Sequence, residues 1–138
     1  MGRDLPKPFN IKALSADILI KYRGWALSSE YIKRESNQNE ILALYAGNYI
    51  YTGFGHNHQL SYCFKSKWEL AARYSNITPN SKVKLKALYQ DDFWFGITKY
   101  LNNHRTKLQF NIIYTEKKDP SAIFTNNYMA MFQIELGI

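Results

Sequence analysis

The residues best placed to do chemistry are His56-Asn57-His58, which put two imidazoles on the same side of an extended chain. Imidazole nitrogens bind transition metals, but a metal centre needs further ligands, and no third ligand is evident. The polar end of a loop explains this pair of histidines equally well. We therefore predict no metal site.

The sequence carries no catalytic motif that pairs a nucleophile with a base. Gly53-Phe54-Gly55 lacks the rest of either nucleotide-binding fingerprint, and no Gly-x-Ser-x-Gly motif occurs. The single cysteine, Cys63, cannot form an internal disulfide and is expected to be an unreactive wall residue. We predict that the protein is not an enzyme and uses no cofactor.

The composition fits one folded domain of ordinary size. The 138 residues are 16% aromatic and 21% charged, with a net charge of +7, and no low-complexity tract occurs. No run approaches the roughly 18 apolar residues of a membrane helix. A transmembrane β-barrel is not excluded by this, because its strands are apolar on one face only. The positive charge suits nucleic acid, anionic lipid or anionic solutes, and the position of the charges must decide among them.

Seven segments alternate with a period of two and are rich in aromatic and β-branched residues, which favours β-strands. The last of them has a wholly apolar or aromatic face and ends the chain. We predict strands over residues 11–22, 25–34, 49–64, 68–76, 91–101, 106–117 and 127–138.

The connections between these strands are predicted to alternate in length. Short turns are expected at residues 23–24, 65–67 and 102–104, and long loops at 35–48, 77–90 and 118–126. Bacterial outer-membrane barrels sort short turns and long loops to opposite ends in this way. The pattern indicates an all-β, antiparallel up-and-down transmembrane β-barrel, with seven strands of a larger barrel present.

The alternation also separates two faces. One face is apolar, with aromatic residues near the strand ends, where a lipid-facing girdle lies in such barrels. The residues predicted for the girdle are Trp25, Trp68, Tyr74, Phe93, Tyr114 and Phe132. Lys99 is on this face but near a turn, so its side chain is expected to extend toward water.

The opposite face is polar and is predicted to line a water-filled lumen, because it carries charges of both signs. The predicted lining residues are Lys21, Glu30, Glu69, Arg73, Lys107 and Glu135. A specific anion-binding role for Arg73 or Lys107 is one reading. A Glu69–Arg73 ion pair in the wall is the commoner arrangement.

Lys82, Lys84 and Lys86 follow the fourth strand in a long loop. They could attract anions to the mouth of a pore or contact lipopolysaccharide phosphate, and a solvated loop face is the simpler alternative. Binding to nucleic acid is not expected, because it needs basic and aromatic residues on one face and here the aromatic residues face away from the polar wall.

Five runs of the sequence form a recognisable series: Lys21-Tyr22-Arg23-Gly24-Trp25 through Glu30-Tyr31, Lys67-Trp68-Glu69-Leu70 through Arg73-Tyr74-Ser75, Gly96 through Tyr100-Leu101-Asn102, His104 through Gln109, and Phe132-Gln133-Ile134-Glu135-Leu136. These runs resemble segments of the phosphate-selective porin O and P family of Gram-negative outer membranes, and the resemblance follows the family's order from Ile11 to the end. The resemblance implies a sixteen-stranded barrel, usually trimeric, that conducts anions preferentially. The N-terminal half of the family pattern, with its constriction loop, is not in this sequence, so phosphate selectivity is not implied.

We predict that residues 1–10 are an N-terminal extension or the start of a fragment, since they lack the apolar core of a secretory signal. Residues 11–138 are predicted to be the C-terminal strands of an outer-membrane porin for small hydrophilic solutes, anionic ones among them. The expected partners are outer-membrane lipid, lipopolysaccharide, and copies of the same chain or other subunits of a membrane complex. The alternatives are a structural or docking barrel without transport, and a soluble barrel that binds a small ligand.

Overall fold

The structure, a computed structural model, describes residues 10–36, 51–81, 83, 87–101, 106–121 and 123–136. These residues form seven β-strands and no helix. The strands are β1 (Ile11–Tyr22), β2 (Trp25–Ser36), β3 (Gly53–Cys63), β4 (Trp68–Pro79), β5 (Tyr89–Tyr100), β6 (Thr106–Lys118) and β7 (Phe124–Leu136).

All seven strands belong to one antiparallel sheet in which the spatial order follows the chain order. Each strand pairs with the next without a break in register, from Ile11 opposite Ser36 to Thr106 opposite Leu136. Within the described residues β1 pairs only with β2, and β7 only with β6, so the sheet is open. The prediction of an all-β, antiparallel up-and-down fold is confirmed.

The strand ends differ from the predictions at several places. β4 continues to Pro79 and β2 to Ser36, beyond the predicted ends at residues 76 and 34. β3 begins only at Gly53, so Tyr51 and Thr52 are not part of it. These shifts follow from cross-strand pairing: Thr78 extends β4 because it has a partner in Phe54 of β3.

The first hairpin turns through Arg23 and Gly24, whose φ angles of 46° and 89° are both left-handed. Two consecutive residues with positive φ define a type I′ turn, which matches the twist of the flanking strands. Glycine is required at the second position for a further reason. A Cβ on Gly24 would lie 2.7 Å from the carbonyl oxygen of Cys63.

The predicted alternation of short and long connections is wrong at its last step. β5 ends at Tyr100 and β6 begins at Thr106, while β6 ends at Lys118 and β7 begins at Phe124, so both connections have five residues. Asp119 closes the second of them tightly: its N–H donates to the carbonyl oxygen of Ile123 at 3.0 Å, and its carboxylate accepts from the Ile123 N–H at 2.9 Å. We call the end of the sheet with the β1–β2, β3–β4 and β5–β6 connections the turn end, and the opposite end the loop end.

The sheet has no second layer in the part of the chain that the structure describes. The buried apolar residues are Ala71, Val83 and Ala87, which are too few and too small to form a core between layers. No helix among the described residues is long and apolar enough to cross a membrane. The sheet therefore presents both of its faces.

Because side chains alternate along each strand and the register is unbroken, the two faces extend across all seven strands. The face that contains Ile18, Leu60, Phe95 and Ile112 we call the apolar face. The face that contains Gln59 and Arg73 we call the polar face. Large side chains on the apolar face stand exposed, Leu14 by 61% and Ile112 by 46%.

Candidate functional site

The six residues predicted to line a lumen all lie on the polar face. Lys21 is on β1, Glu30 on β2, Glu69 and Arg73 on β4, Lys107 on β6 and Glu135 on β7. Asp92, Trp94 and Tyr100 of β5 lie on the same face and were not among the predicted lining residues. Strict alternation along β5 from Thr98, which lies opposite Glu69 on this face, would have found all three.

Arg73 is held by its neighbours on the adjoining strands. It lies opposite Gln59 of β3 and Trp94 of β5. Its Nε and Nη2 donate hydrogen bonds to Gln59 Oε1 at 2.9 and 2.5 Å, and its Cζ lies 5.1 Å from the centroid of the Trp94 ring.

The expected Glu69–Arg73 ion pair does not form in the described structure, where Glu69 accepts a hydrogen bond from Tyr100 instead. Two residues four positions apart on one strand are about 13 Å apart, at about 3.3 Å per residue, whereas directly opposed residues are about 5 Å apart. A cross-strand partner is therefore closer to Arg73 than any acid on its own strand.

Trp94 lies flat against the sheet over Gly96, its neighbour two positions along β5. A Cβ on Gly96 would lie 2.7 Å from Cζ2 of Trp94 and 2.7 Å from Oδ1 of Asn111, which is opposite on β6. Asn111 is only 2% exposed, and it accepts a hydrogen bond from Gln109 at 3.1 Å. Glycine at position 96 is what makes room for the indole.

The turn end of the polar face carries two further contacts between charged or polar side chains. The Tyr100 hydroxyl donates to Glu69 at 2.5 Å, and Lys107 Nζ lies 2.8 Å from a carboxylate oxygen of Glu135. Lys21, Cys63 and Glu69 also line an open cavity of about 370 Å³ at this end. Cys63 is half-buried there, with its sulfur 3.8 Å from the Phe64 carbonyl oxygen.

The loop end of the polar face is bridged by acids that accept hydrogen bonds from neutral side chains. Asn57 donates to Glu30 at 3.3 Å. Asp92 accepts from Thr115 at 2.5 Å and from Gln90 at 2.7 Å. The acids at this end are thus tied to adjacent strands without a cation.

The charges on the polar face of the described strands balance. The cations are Lys21, Arg34, Arg73, Lys107 and Lys117, and the anions are Asp17, Glu30, Glu69, Asp92 and Glu135. The net charge of +7 of the whole chain therefore does not come from this face.

The apolar face carries aromatic side chains at two levels. Toward the loop end, Tyr74, Phe93, Tyr114 and Tyr128 follow one another across β4 to β7, with ring centroids 5.1, 6.1 and 4.9 Å apart. Three of these residues belong to the predicted girdle, and Tyr128 completes the row.

The second aromatic level lies toward the turn end. Trp25 contacts Tyr62, whose ring centroid is 4.7 Å away, and Trp68 lies on the next strand. Lys99 reaches toward the turn as expected, because its Nζ donates to the Ser66 carbonyl oxygen at 2.9 Å and lies 4.8 Å from the Trp68 ring centroid. Phe132, also predicted for the girdle, lies opposite Phe110, in the register row that contains Tyr62 and Trp25.

The two histidines of β3 share the apolar face, with ring centroids 5.2 Å apart. His58 Nδ1 shares a hydrogen bond of 2.8 Å with the hydroxyl of Ser29. Beside them, Tyr74 and Asn76 both donate to Asp91 at 2.8 Å. The described residues contain no group of three or more His, Cys, Asp or Glu side chains that could hold a metal ion.

The predicted loop cations Lys82, Lys84 and Lys86 lie outside the residues that the structure describes. The same is true of the predicted turn at residues 102–104 and of the last two residues of the chain. Their assigned roles stay predictions.

The fold and face pattern define an antiparallel meander with one polar and one exposed apolar face. Comparisons of the chain with protein-family models, curated proteins and solved structures found no match. The resemblance to phosphate-selective porins therefore rests on the sequence segments alone.

Proposed function

We propose that the chain is the C-terminal part of an outer-membrane β-barrel porin through which small hydrophilic solutes, anionic ones among them, diffuse passively. The observation that carries this proposal is the pairing of an exposed apolar face with a charged polar face on one continuous seven-stranded sheet. In such a barrel the apolar face contacts lipid and the polar face contacts water.

The apolar face needs a covering that the described residues do not supply. Soluble monomers rarely expose a contiguous apolar patch larger than several hundred Å², because each Å² of apolar surface costs about 25 cal/mol in water. Here exposed side chains such as Ile18, Phe95 and Phe132 span all the strands from β1 to β7. Lipid tails cover such a surface without any second protein layer.

The length of the apolar face suits a bilayer. On β1 it runs from Leu14 to Tyr22, and on β7 from Tyr128 to Leu136. At about 3.3 Å per residue these eight steps are about 26 Å along a strand, or about 20 Å along the normal of a membrane for strands tilted by about 40°. With the girdle side chains added, this approaches the roughly 25 Å apolar band of outer-membrane barrels.

The polar face supports a hydrated lumen rather than the interior of a small soluble barrel. Burying five cations and five anions in a dry core would require each to be paired, because desolvation of an ion costs several kcal/mol. Within the described residues Arg73 has no acidic partner, and Glu30 and Asp92 have neutral ones. Water can solvate these charges in an open lumen.

The resemblance to phosphate-selective porins supports the remaining parts of the proposal. These are location in the cell outer membrane, contact with its lipid and lipopolysaccharide, and assembly as a homo-oligomer. The six predicted lining residues would contribute to the wall of the pore, with the predicted girdle residues facing lipid.

The test is to purify the native protein that contains this chain from outer membranes and to record its conductance in planar bilayers. Stepwise open-channel currents are expected. A folded barrel that stays silent would favour a structural or docking subunit instead. A protein that remains monodisperse in buffer without detergent would rule out the membrane assignment.

A further inference from the structure

We propose that Gln59, Trp94 and Gly96 position Arg73 so that one edge of its guanidinium group meets solutes and binds an oxyanion, either a carboxylate or a phosphate. This inference rests on the proposed function, since it requires water and solute on the polar face. It assigns Arg73 as the residue that touches the solute, and the other three as positioning residues.

The hydrogen bonds of Arg73 determine which edge is available. Nε and Nη2 both point at a single acceptor, Gln59 Oε1, so the side-on edge of the guanidinium is occupied. The end-on edge, formed by Nη1 and the second hydrogen of Nη2, makes no hydrogen bond within the described structure. Two parallel N–H groups on one edge match the two oxygens of a carboxylate or phosphate.

The Trp94 ring keeps the guanidinium in one place. The indole packs against Gly96. The guanidinium carbon of Arg73 lies over the indole ring, 5.1 Å from its centroid. A planar cation over an aromatic ring is attracted by the negative charge of the ring face. Any side chain at position 96 would displace the indole, and Arg73 would lose its support.

Arg73 also differs electrostatically from Lys107, the other cation of the polar face for which an anion-binding role is predicted. Lys107 is paired with Glu135 at 2.8 Å, and a cation already paired attracts an incoming anion less. The residues in register with Arg73 are Leu19, Ser28, Gln59, Trp94, Ile113 and Met129, none of which is acidic. Among the described strands, Arg73 is therefore the one charged residue of its row, and the next row of the polar face toward the loop end carries Asp17, Glu30 and Asp92.

Binding can be measured without measuring conduction. The chain has three tryptophans, and replacing Trp25 and Trp68 by Phe, together with any tryptophan in the rest of the native protein, leaves Trp94 as the only one. In this background, the detergent-folded native protein is titrated with inorganic phosphate and with acetate at constant ionic strength, with chloride as the control anion. We expect a saturable change in Trp94 fluorescence with phosphate and acetate and none with chloride.

Two variants then separate geometry from charge. Arg73→Lys keeps the charge but loses the two-pronged edge, so we expect the apparent affinity for both anions to fall about tenfold. Gly96→Ala should give a similar loss by moving the indole. Gly55→Ala is the matched control, because it makes the same change on the same face, where the nearest atom is the Asn76 carbonyl oxygen at 3.1 Å.

The outcomes are distinct. Equal affinities for the parent protein and the Arg73→Lys variant, or no saturable change in folded protein, would overturn the positioning role while leaving porin activity untouched. A protein that binds phosphate but forms no channel would overturn the porin proposal and keep the Arg73 site. Binding of phosphate without acetate would identify phosphate as the solute group, and the reverse would identify carboxylate.

Discussion

Ile112 and Ile113 are neighbours on β6 that point to opposite sides of the sheet. Ile112 is on the apolar face, opposite Phe95, and Ile113 is on the polar face, opposite Trp94. An arginine at the middle of a lipid-facing surface costs about 2–4 kcal/mol in outer-membrane barrels, because the charge is taken out of water. We predict that Ile112→Arg lowers the free energy of unfolding in lipid vesicles by this amount.

Ile113→Arg is the control for that experiment, because it places the same residue one position away on the polar face. We expect it to change stability by less than about 1 kcal/mol. Unfolding in urea, followed by tryptophan fluorescence, measures both variants. Equal costs at the two positions would contradict the assignment of the faces.

Cys63 provides a second test at the level of one residue. It lies on the polar face beside Glu69 and the cavity at the turn end. In an open pore, a charged thiol reagent that does not cross membranes reaches this side chain through water. We predict that such a reagent modifies Cys63 in the folded protein and lowers the single-channel current.

The extent of modification is read by intact mass, and denatured protein gives the value for full reaction. A Cys63→Ser variant, whose current should not respond to the reagent, is the control. Complete protection of the folded protein would show that Cys63 is shielded from solvent, as the sequence analysis expected of an unreactive wall residue.

Residue positions were easier to predict than residue partners. Alternation along a strand placed Arg73 and Glu69 on the correct face, since it depends only on local geometry. The partners of Arg73 are set by cross-strand register, which the sequence does not contain. The support of Trp94 by Gly96 could not be predicted either. It depends on the indole packing into the space that a residue without a side chain leaves on the sheet.

At the level of elements, the first hairpin depends on its left-handed turn. Gly24 has a φ of 89°, a conformation that costs other residues about 1–3 kcal/mol, and a Cβ there would press on the Cys63 carbonyl oxygen. We predict that Gly24→Ala destabilises the protein by at least about 1 kcal/mol in urea unfolding. An unchanged midpoint would show that this turn does not adopt the left-handed geometry.

The strands themselves could be predicted because each has a clear period of two, and all seven were found. The length of the last connection, between β6 and β7, could not be predicted. Thr125 and Asn126 read as part of a polar loop, yet they pair with Lys117 and Glu116 of β6. The ladder of backbone hydrogen bonds extends a strand into polar sequence wherever the neighbouring strand offers a partner, and side-chain composition does not reveal where that ends.

For the whole molecule, the number of strands limits how a barrel can close. In an antiparallel sheet of seven strands, β1 and β7 run in the same direction. A barrel that is antiparallel throughout, as bacterial outer-membrane barrels are, must then contain an odd number of strands besides these. The edges of β1 and β7 would pair with the first and last of the added strands.

The need for additional strands leads to a prediction about the mass of the native protein. If the chain is part of a porin, its intact mass in isolated outer membranes should be well above 16.2 kDa, since barrels of about sixteen strands need on the order of several hundred residues. Mass spectrometry of the protein that carries the peptide around Trp94 gives this value directly, with a second outer-membrane protein of known mass as the internal standard. A mass near 16.2 kDa would leave the seven strands of the described residues to close by a parallel β1–β7 pairing or by association with other chains. In that case a lumen wide enough for solutes would require several copies, and a docking subunit would become the better proposal than a porin.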